Sequence, residues 1–146
     1  MAEVRTAGYS GTPLPRKLGI KAGQRIAFLD APDEFAVALG ELPEGVGSAR
    51  RSARGPLDLM VAFFLERSWL ERRLPQLVAA LDPDGALWLA WPKKGSGVPT
   101  DLTGDVVREL GLAAGVVDVK VCAIDATWSG LKFVVRVADR PARRAG

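Results

Sequence analysis

The chain has 146 residues, 48% of them apolar and 25% charged, a balance that fits one globular domain with a real core rather than a disordered segment. Its formal charge is +3, from 20 Lys and Arg against 17 Asp and Glu, with no histidine and one cysteine, Cys122. Without histidine the commonest general base, the usual catalytic triads and nearly every transition-metal site are excluded, and a lone cysteine excludes an internal disulfide. No metal site is therefore expected.

Residues 1–10 carry no apolar leader, and the longest apolar run, residues 57–65, contains Asp58 and is too short to cross a bilayer. These features predict a cytoplasmic protein without a membrane partner. One domain is expected over residues 1–146, with residues 1–8 and 138–146 as flexible tails.

In chain order, Thr12-Pro13 reads as the cap of a short helix over LPRKLG, limited by Pro15. Residues 25–30 (RIAFLD) read as an apolar strand. Asp33 then caps a helix that turns Phe35, Val37, Ala38 and Leu39 inward and closes at Gly40. Residues 41–56 read as a Gly- and Arg-rich loop with a weak edge-strand signal at Val46.

The nearly unbroken apolar run at residues 57–64 predicts a strand covered on both faces. Residues 66–81 place Trp69, Leu70, Leu74, Leu77, Val78 and Leu81 at helical spacing, with a kink expected at Pro75. Asp82-Pro83-Asp84-Gly85 reads as a turn, and residues 86–91 (ALWLAW) as a second buried strand. A helix comes next with Leu102, Val106, Val107 and Leu110 inward, ending near Gly111 or Gly115. Residues 117–124 alternate as a strand with Val119, Val121 and Ala123 on one face, and residues 131–137 form its hairpin partner across DATWSG. The fold class is α/β: a single Rossmann-like three-layer domain, mainly parallel with right-handed crossovers, finished by a C-terminal antiparallel strand.

Much of the positive charge lies in ARRSARG (residues 49–55) and in the tail DRPARRAG (residues 139–146). Arg50, Arg51, Arg54, Arg143 and Arg144 could neutralise phosphates, or they could simply be solvated. No aromatic strand signature, zinc finger or recognition helix accompanies them, so nucleic acid is not the expected partner.

The segment from Leu57 to Trp91, with DLMVAFF, a Leu-rich helix, DPDG and ALWLAWP, resembles the second half of a class I methyltransferase fold. The resemblance implies that fold, including an antiparallel last strand. In that family a Gly-rich turn after the first strand lets the backbone approach S-adenosylmethionine, and an acidic residue closing a second strand holds the ribose. Here LDAPDEF (residues 29–35) has no glycine and no such acid is evident, so no cofactor is expected. YSGTPLPRKLGIK, WPKKGSGVPTDLT and VDVKVCAIDATWSGLKFVVR together resemble a small bacterial family classed as a domain of unknown function. That likeness implies the same fold and supplies no catalytic residues.

In a parallel sheet, ligands collect beyond the carboxyl ends of the strands. Asp30-Ala31-Pro32, Leu65-Glu66, the loop from Pro92 to Gly97, the segment from Asp125 to Gly130, and Tyr9-Ser10-Gly11-Thr12 should all reach that rim. Lys93 and Lys94, the glycines around Ser96 (Gly95 and Gly97) and a helix start near Thr100 would attract an anion; alternatively they form a turn with Thr100 or Asp101 as cap. Trp128 and Asp125 offer a stacking platform and an acceptor, or else a cover for the sheet end and a local turn. Trp69, Trp88 and Trp91 read as core. Asp30 could accept a proton at the rim or cap a neighbouring helix.

The first functional expectation is a non-catalytic or regulatory domain binding an anionic small molecule or an acidic protein partner at this edge. The alternative is a degenerate methyltransferase-type enzyme acting on a phosphorylated or carboxylated metabolite, with Asp30 or Asp125 as base and Lys93 or Lys94 as electrostatic clamp. A third is weak, sequence-independent nucleic-acid binding.

Overall fold

The computed structural model describes residues 12–46 and 56–140. The Arg-rich loop at 49–55, the tail from 141 onward, and Tyr9, Ser10 and Gly11 lie outside the described residues. In order come α1 (Leu14–Leu18), β1 (Ile26–Leu29), α2 (Asp33–Leu39), β2 (Leu57–Phe63), α3 (Arg67–Ala80), β3 (Leu81–Pro92), α4 (Gly104–Ala113), β4 (Val116–Ala123) and β5 (Trp128–Val135), then a 3-10 turn at Val137–Asp139. No helix among the described residues is long and apolar enough to cross a membrane.

The sheet runs β1-β2-β3-β5-β4. The first three strands are parallel, and β5 is antiparallel to both β3 and β4. The predicted mixed sheet is thus observed, and it separates two apolar layers. On one face Leu70, Leu74 and Leu77 of α3 and Val107 of α4 pack on Ala27, Met60, Leu87, Leu131 and Phe133. On the other, Leu14 and Leu18 of α1 and Phe35 and Leu39 of α2 pack on Ile26, Leu59, Val61 and Trp88. Strands buried on both faces need apolar residues at consecutive positions, which is why β2 and the later part of β3 lack alternation.

β1 to β2 and β2 to β3 step the same way across the sheet, and α2 and α3 lie on opposite faces of it.

Several local expectations are corrected by packing. The N-cap of α1 is Pro13 rather than Thr12, and that of α2 is Pro32 rather than Asp33, which opens the helix itself. Val37 is 84% exposed, because Phe35 and Leu39, four residues apart, form the inward stripe and the residue between them points away. Asp82-Pro83-Asp84-Gly85 lies within β3 as an irregularity: Leu81 pairs with Leu57, then Ala86 with Leu59. A Cβ at Gly85 would lie 2.8 Å from the Asp58 carbonyl oxygen, so glycine lets this detour press against β2.

Val119 and Val121 are 55% and 65% exposed, and Cys122 is buried instead. The cause is a bulge in β4: Asp118 pairs with Phe133 and Lys120 with Lys132, so Val119 is an extra residue that switches the facing of the rest of the strand. β5 begins at Trp128 and ends at Val135, earlier at both ends than expected.

Arg25 ties β1 to β2. Its backbone N–H donates to Asp58 Oδ2 at 2.8 Å, and its guanidinium donates to both carboxylate oxygens at 3.2 Å. These bonds hold the Asp58 carboxyl below its ordinary pKa against the opposing effect of burial. A depressed native pKa gives stability that is present above the unfolded value of about 3.9 and is lost as pH falls through the native one. Urea melts between pH 7 and pH 2 should show this acid loss, and Asp58→Asn should flatten it. An equal acid slope in the variant would assign the loss to other carboxylates.

Candidate functional site

The carboxyl ends of β1 and β2 and the start of β5 enclose a cleft of about 450 Å³. Phe63 and Trp128 stand edge to face in it, ring centroids 5.1 Å apart, with Trp128 only 7% exposed. Pro32, Leu65 and Trp69 add apolar wall, and Asp30 and Glu66 are its two acids. Trp69 is not core as expected: it sits one position before the buried stripe of α3 and is 37% exposed. The guanidinium groups of Arg72 and Arg73 lie 5.6 and 5.3 Å from its ring centre.

Asp30 has φ +56°, the one positive φ at a non-glycine among the described residues. Left-handed backbone costs an L-residue roughly 1–2 kcal/mol, less for Asp, whose short side chain can bond locally. The conformation turns the chain sharply at the end of β1 and leaves the Asp30 side chain 58% exposed, with Oδ2 3.8 Å from Arg73 Nη1.

Asp125 closes the β4–β5 hairpin. Its Oδ1 accepts the Thr127 and Trp128 N–H groups, both at 2.8 Å, while its Oδ2 is buried without a partner among the described residues. It therefore holds the backbone of Trp128 and does not line the cleft.

The Lys93 to Gly97 loop does not line the cleft either. Gly95 and Gly97 have φ of +88° and +87°, and the turn is closed by Ser96 N–H on the Lys93 carbonyl and Val98 N–H on Ser96 Oγ. Lys93 N–H donates to the Thr127 carbonyl at 2.7 Å. At the other end, Thr100 Oγ1 donates to the Leu65 carbonyl at 2.6 Å and Asp101 Oδ1 accepts the Arg67 N–H at 2.7 Å. The loop thus straps the hairpin to the head of α3. Neither Thr100 nor Asp101 caps α4: that N-cap is Thr103, whose Oγ1 accepts the Val106 N–H. Thr100 and Asp101 instead line a neighbouring groove of about 480 Å³ that shares Leu65 and Glu66 with the cleft.

Of the residues placed at the rim from the sequence, the structure brings Asp30, Pro32, Leu65, Glu66 and Trp128 together and adds Phe63 and Trp69. The carboxyl-edge position pointed to Asp30 and Glu66. Phe63 and Trp69 carried no separate signal, because a wall aromatic looks like a core aromatic in a one-dimensional pattern. Cys122 is buried, and burial raises its thiol pKa despite Lys17, Lys120 and Lys93 nearby, as befits an inert core thiol.

Solved structures share this architecture. A SAM-dependent methyltransferase from Aquifex aeolicus is 12% identical with TM-score 0.55, the match covering 82% of this chain and 86% of that one. A putative methyltransferase from Thermoplasma acidophilum gives 10% and 0.54, covering 86% and 75%. A TehB-like SAM-dependent methyltransferase from Corynebacterium glutamicum gives 12% and 0.51, covering 84% and 85%.

The fold is methyltransferase-like. At such low identities the likeness is one of fold alone. No protein-family model matches the chain, and no curated protein matches it in sequence. In this methyltransferase-like frame the cleft occupies the carboxyl edge where open α/β sheets take their ligands.

Proposed function

We propose that the protein is a degenerate methyltransferase-type enzyme whose substrate occupies the cleft between Asp30, Glu66 and the Phe63–Trp128 wall, with Asp30 as proton acceptor. The observation that carries this reading is Asp30 itself, held in a strained left-handed conformation at the end of β1 with its carboxylate open to an aromatic-lined cleft. Two carboxylates and no ammonium group among the lining residues suit a ring-bearing molecule presenting hydroxyl or amine donors. Phe63, Trp128 and Trp69 would exclude water from its ring and Glu66 would orient its donors.

The residues after β1 do not fit S-adenosylmethionine. Asp30-Ala31-Pro32-Asp33 contains no glycine to admit the cofactor against the backbone, and Pro32 lacks an N–H. Asp33 and Glu34 in the first turn of α2 already place negative charge at the helix end where the cofactor's carboxylate would need donors.

Calorimetric titration with S-adenosylmethionine should show no micromolar binding; a micromolar dissociation constant would restore the cofactor-dependent reading. The substrate reading is tested with a panel of aromatic amines and polyols, followed by thermal shift and by product analysis, on wild type and Asp30→Asn. Asparagine tolerates the left-handed conformation, so the variant should fold as wild type, bind panel hits about tenfold more weakly and lose turnover. Hits bound equally by both proteins would remove Asp30 from the site, and binding without turnover would make the cleft a sensing site.

A further inference from the structure

A second region of the molecule, on the α1 face of the sheet and outside the cleft, collects cations from separate elements. Lys120 of β4 and Lys132 of β5 are direct cross-strand partners, a pairing of like charges that disfavours a sheet. Lys120 Nζ donates to the Lys17 carbonyl at 3.3 Å and Lys17 Nζ to the Ala123 carbonyl at 3.0 Å, so these two tie α1 to β4. Lys132 has no such acceptor among the described residues. It is half-buried, and its ammonium lies beside the end of α1, where a Cβ on Gly19 would stand 3.8 Å from it. Burial, and then the charges of Lys120 and Lys21, push the Lys132 pKa down. Lys21, Lys120 and Lys132 form no ion pair among the described residues, where the salt bridges all belong to arginines.

Gly19 and Lys21 line a groove of about 540 Å³ together with Arg16, and Glu41 is the one acid among its lining residues. The last turn of α1 is closed by its own backbone, with Gly19 N–H on the Arg16 carbonyl at 3.1 Å and Ile20 N–H on the Pro15 carbonyl at 2.9 Å. Its carbonyls are thereby partly satisfied before any cation approaches. Pro13, Pro15 and Pro43 make rigid apolar wall.

We propose that this groove binds a small phosphate-bearing molecule, its phosphate held by Lys132, Lys21 and Arg16 beside Gly19. The Lys132 ammonium has no protein acceptor among the described residues, and an anion would supply charge-assisted hydrogen bonds while offsetting the Lys120–Lys132 repulsion. Arg16 and Lys21 on the groove wall, with the Lys132 ammonium beside Gly19, suit a phosphate group, which offers several acceptor oxygens. The groove has the volume of a metabolite site, which favours a small molecule over a polymer.

The test is calorimetric titration with pyrophosphate at low ionic strength, against sodium chloride of matched ionic strength. Wild type, Lys132→Gln, Lys21→Gln and, as a control remote from the groove, Lys94→Gln are compared. Wild type and Lys94→Gln should bind alike, and Lys132→Gln and Lys21→Gln should each bind about tenfold more weakly. Without pyrophosphate, Lys132→Gln should melt no lower than wild type. Should Lys132→Gln fail to fold, the exposed Lys21→Gln decides alone. No pyrophosphate binding beyond the chloride control, undiminished binding by the groove variants, or an equal loss in Lys94→Gln would each overturn the site.

Discussion

Replacing Trp88 by alanine is expected to cost about 3–5 kcal/mol of stability, close to the upper end for one core residue. Trp88 sits in the middle of β3, fully buried, paired with Val61 on one side and Lys132 on the other. Its indole N–H donates to the Leu18 carbonyl at 2.9 Å, one of the points at which α1 is fastened to the sheet. Gly130 makes room for the ring: a Cβ there would lie 3.1 Å from Trp88 Cε3. Truncation would therefore open a cavity and also leave the Leu18 carbonyl without its buried partner. For a chain of this size the melting temperature should fall by roughly 2–4 °C per kcal/mol, so by about 6–20 °C in all. Trp88→Phe should recover most of the packing and none of the hydrogen bond, giving an intermediate melt. A fall of only a degree or two for the alanine variant would mean that α1 does not rest on Trp88.

Gly111→Ala is expected to destabilise by about 1–3 kcal/mol, where the intrinsic preference of a helix predicts the opposite sign. The residue lies inside α4, and alanine in place of glycine ordinarily gains close to 1 kcal/mol there. Here, however, a Cβ would run into the ring of the fully buried Phe133, with Cδ2 at 2.8 Å and Cε2 closer still. The ring is flat and held between α4 and the sheet, so the helix must move or the ring must leave its rotamer. Urea unfolding of Gly111→Ala, Phe133→Leu and the double variant measures this directly. The double variant should be more stable than the sum of the two single effects predicts, because the smaller side chain removes the collision. A higher midpoint for Gly111→Ala alone would show that α4 stands farther from β5 than described.

The sequence by itself determined the fold class and the order of the elements. Unbroken apolar runs at β2 and β3 marked strands covered on both sides, and leucines at helical spacing marked the inward stripe of α3. Those signals are local, since they depend on which neighbours along the chain share a face. The rim was legible for the same reason: strand ends come directly from strand limits, and Asp30 and Trp128 meet in one cleft. Only the tertiary structure decided which residues near a strand end reach the cleft and which serve the frame. The loop from Lys93 to Asp101 carried the sharpest motif, yet its ends are taken up by Thr127, Leu65 and Arg67, partners from other elements. Val119 and Trp69 make the same point. A bulge set by pairing with β5 turns Val119 outward, and a helix face short of the core leaves Trp69 beside the cleft. Periodicity ranks residues by the side of their own element, whereas exposure depends on what the neighbouring elements cover, and the chain pattern does not contain that distance.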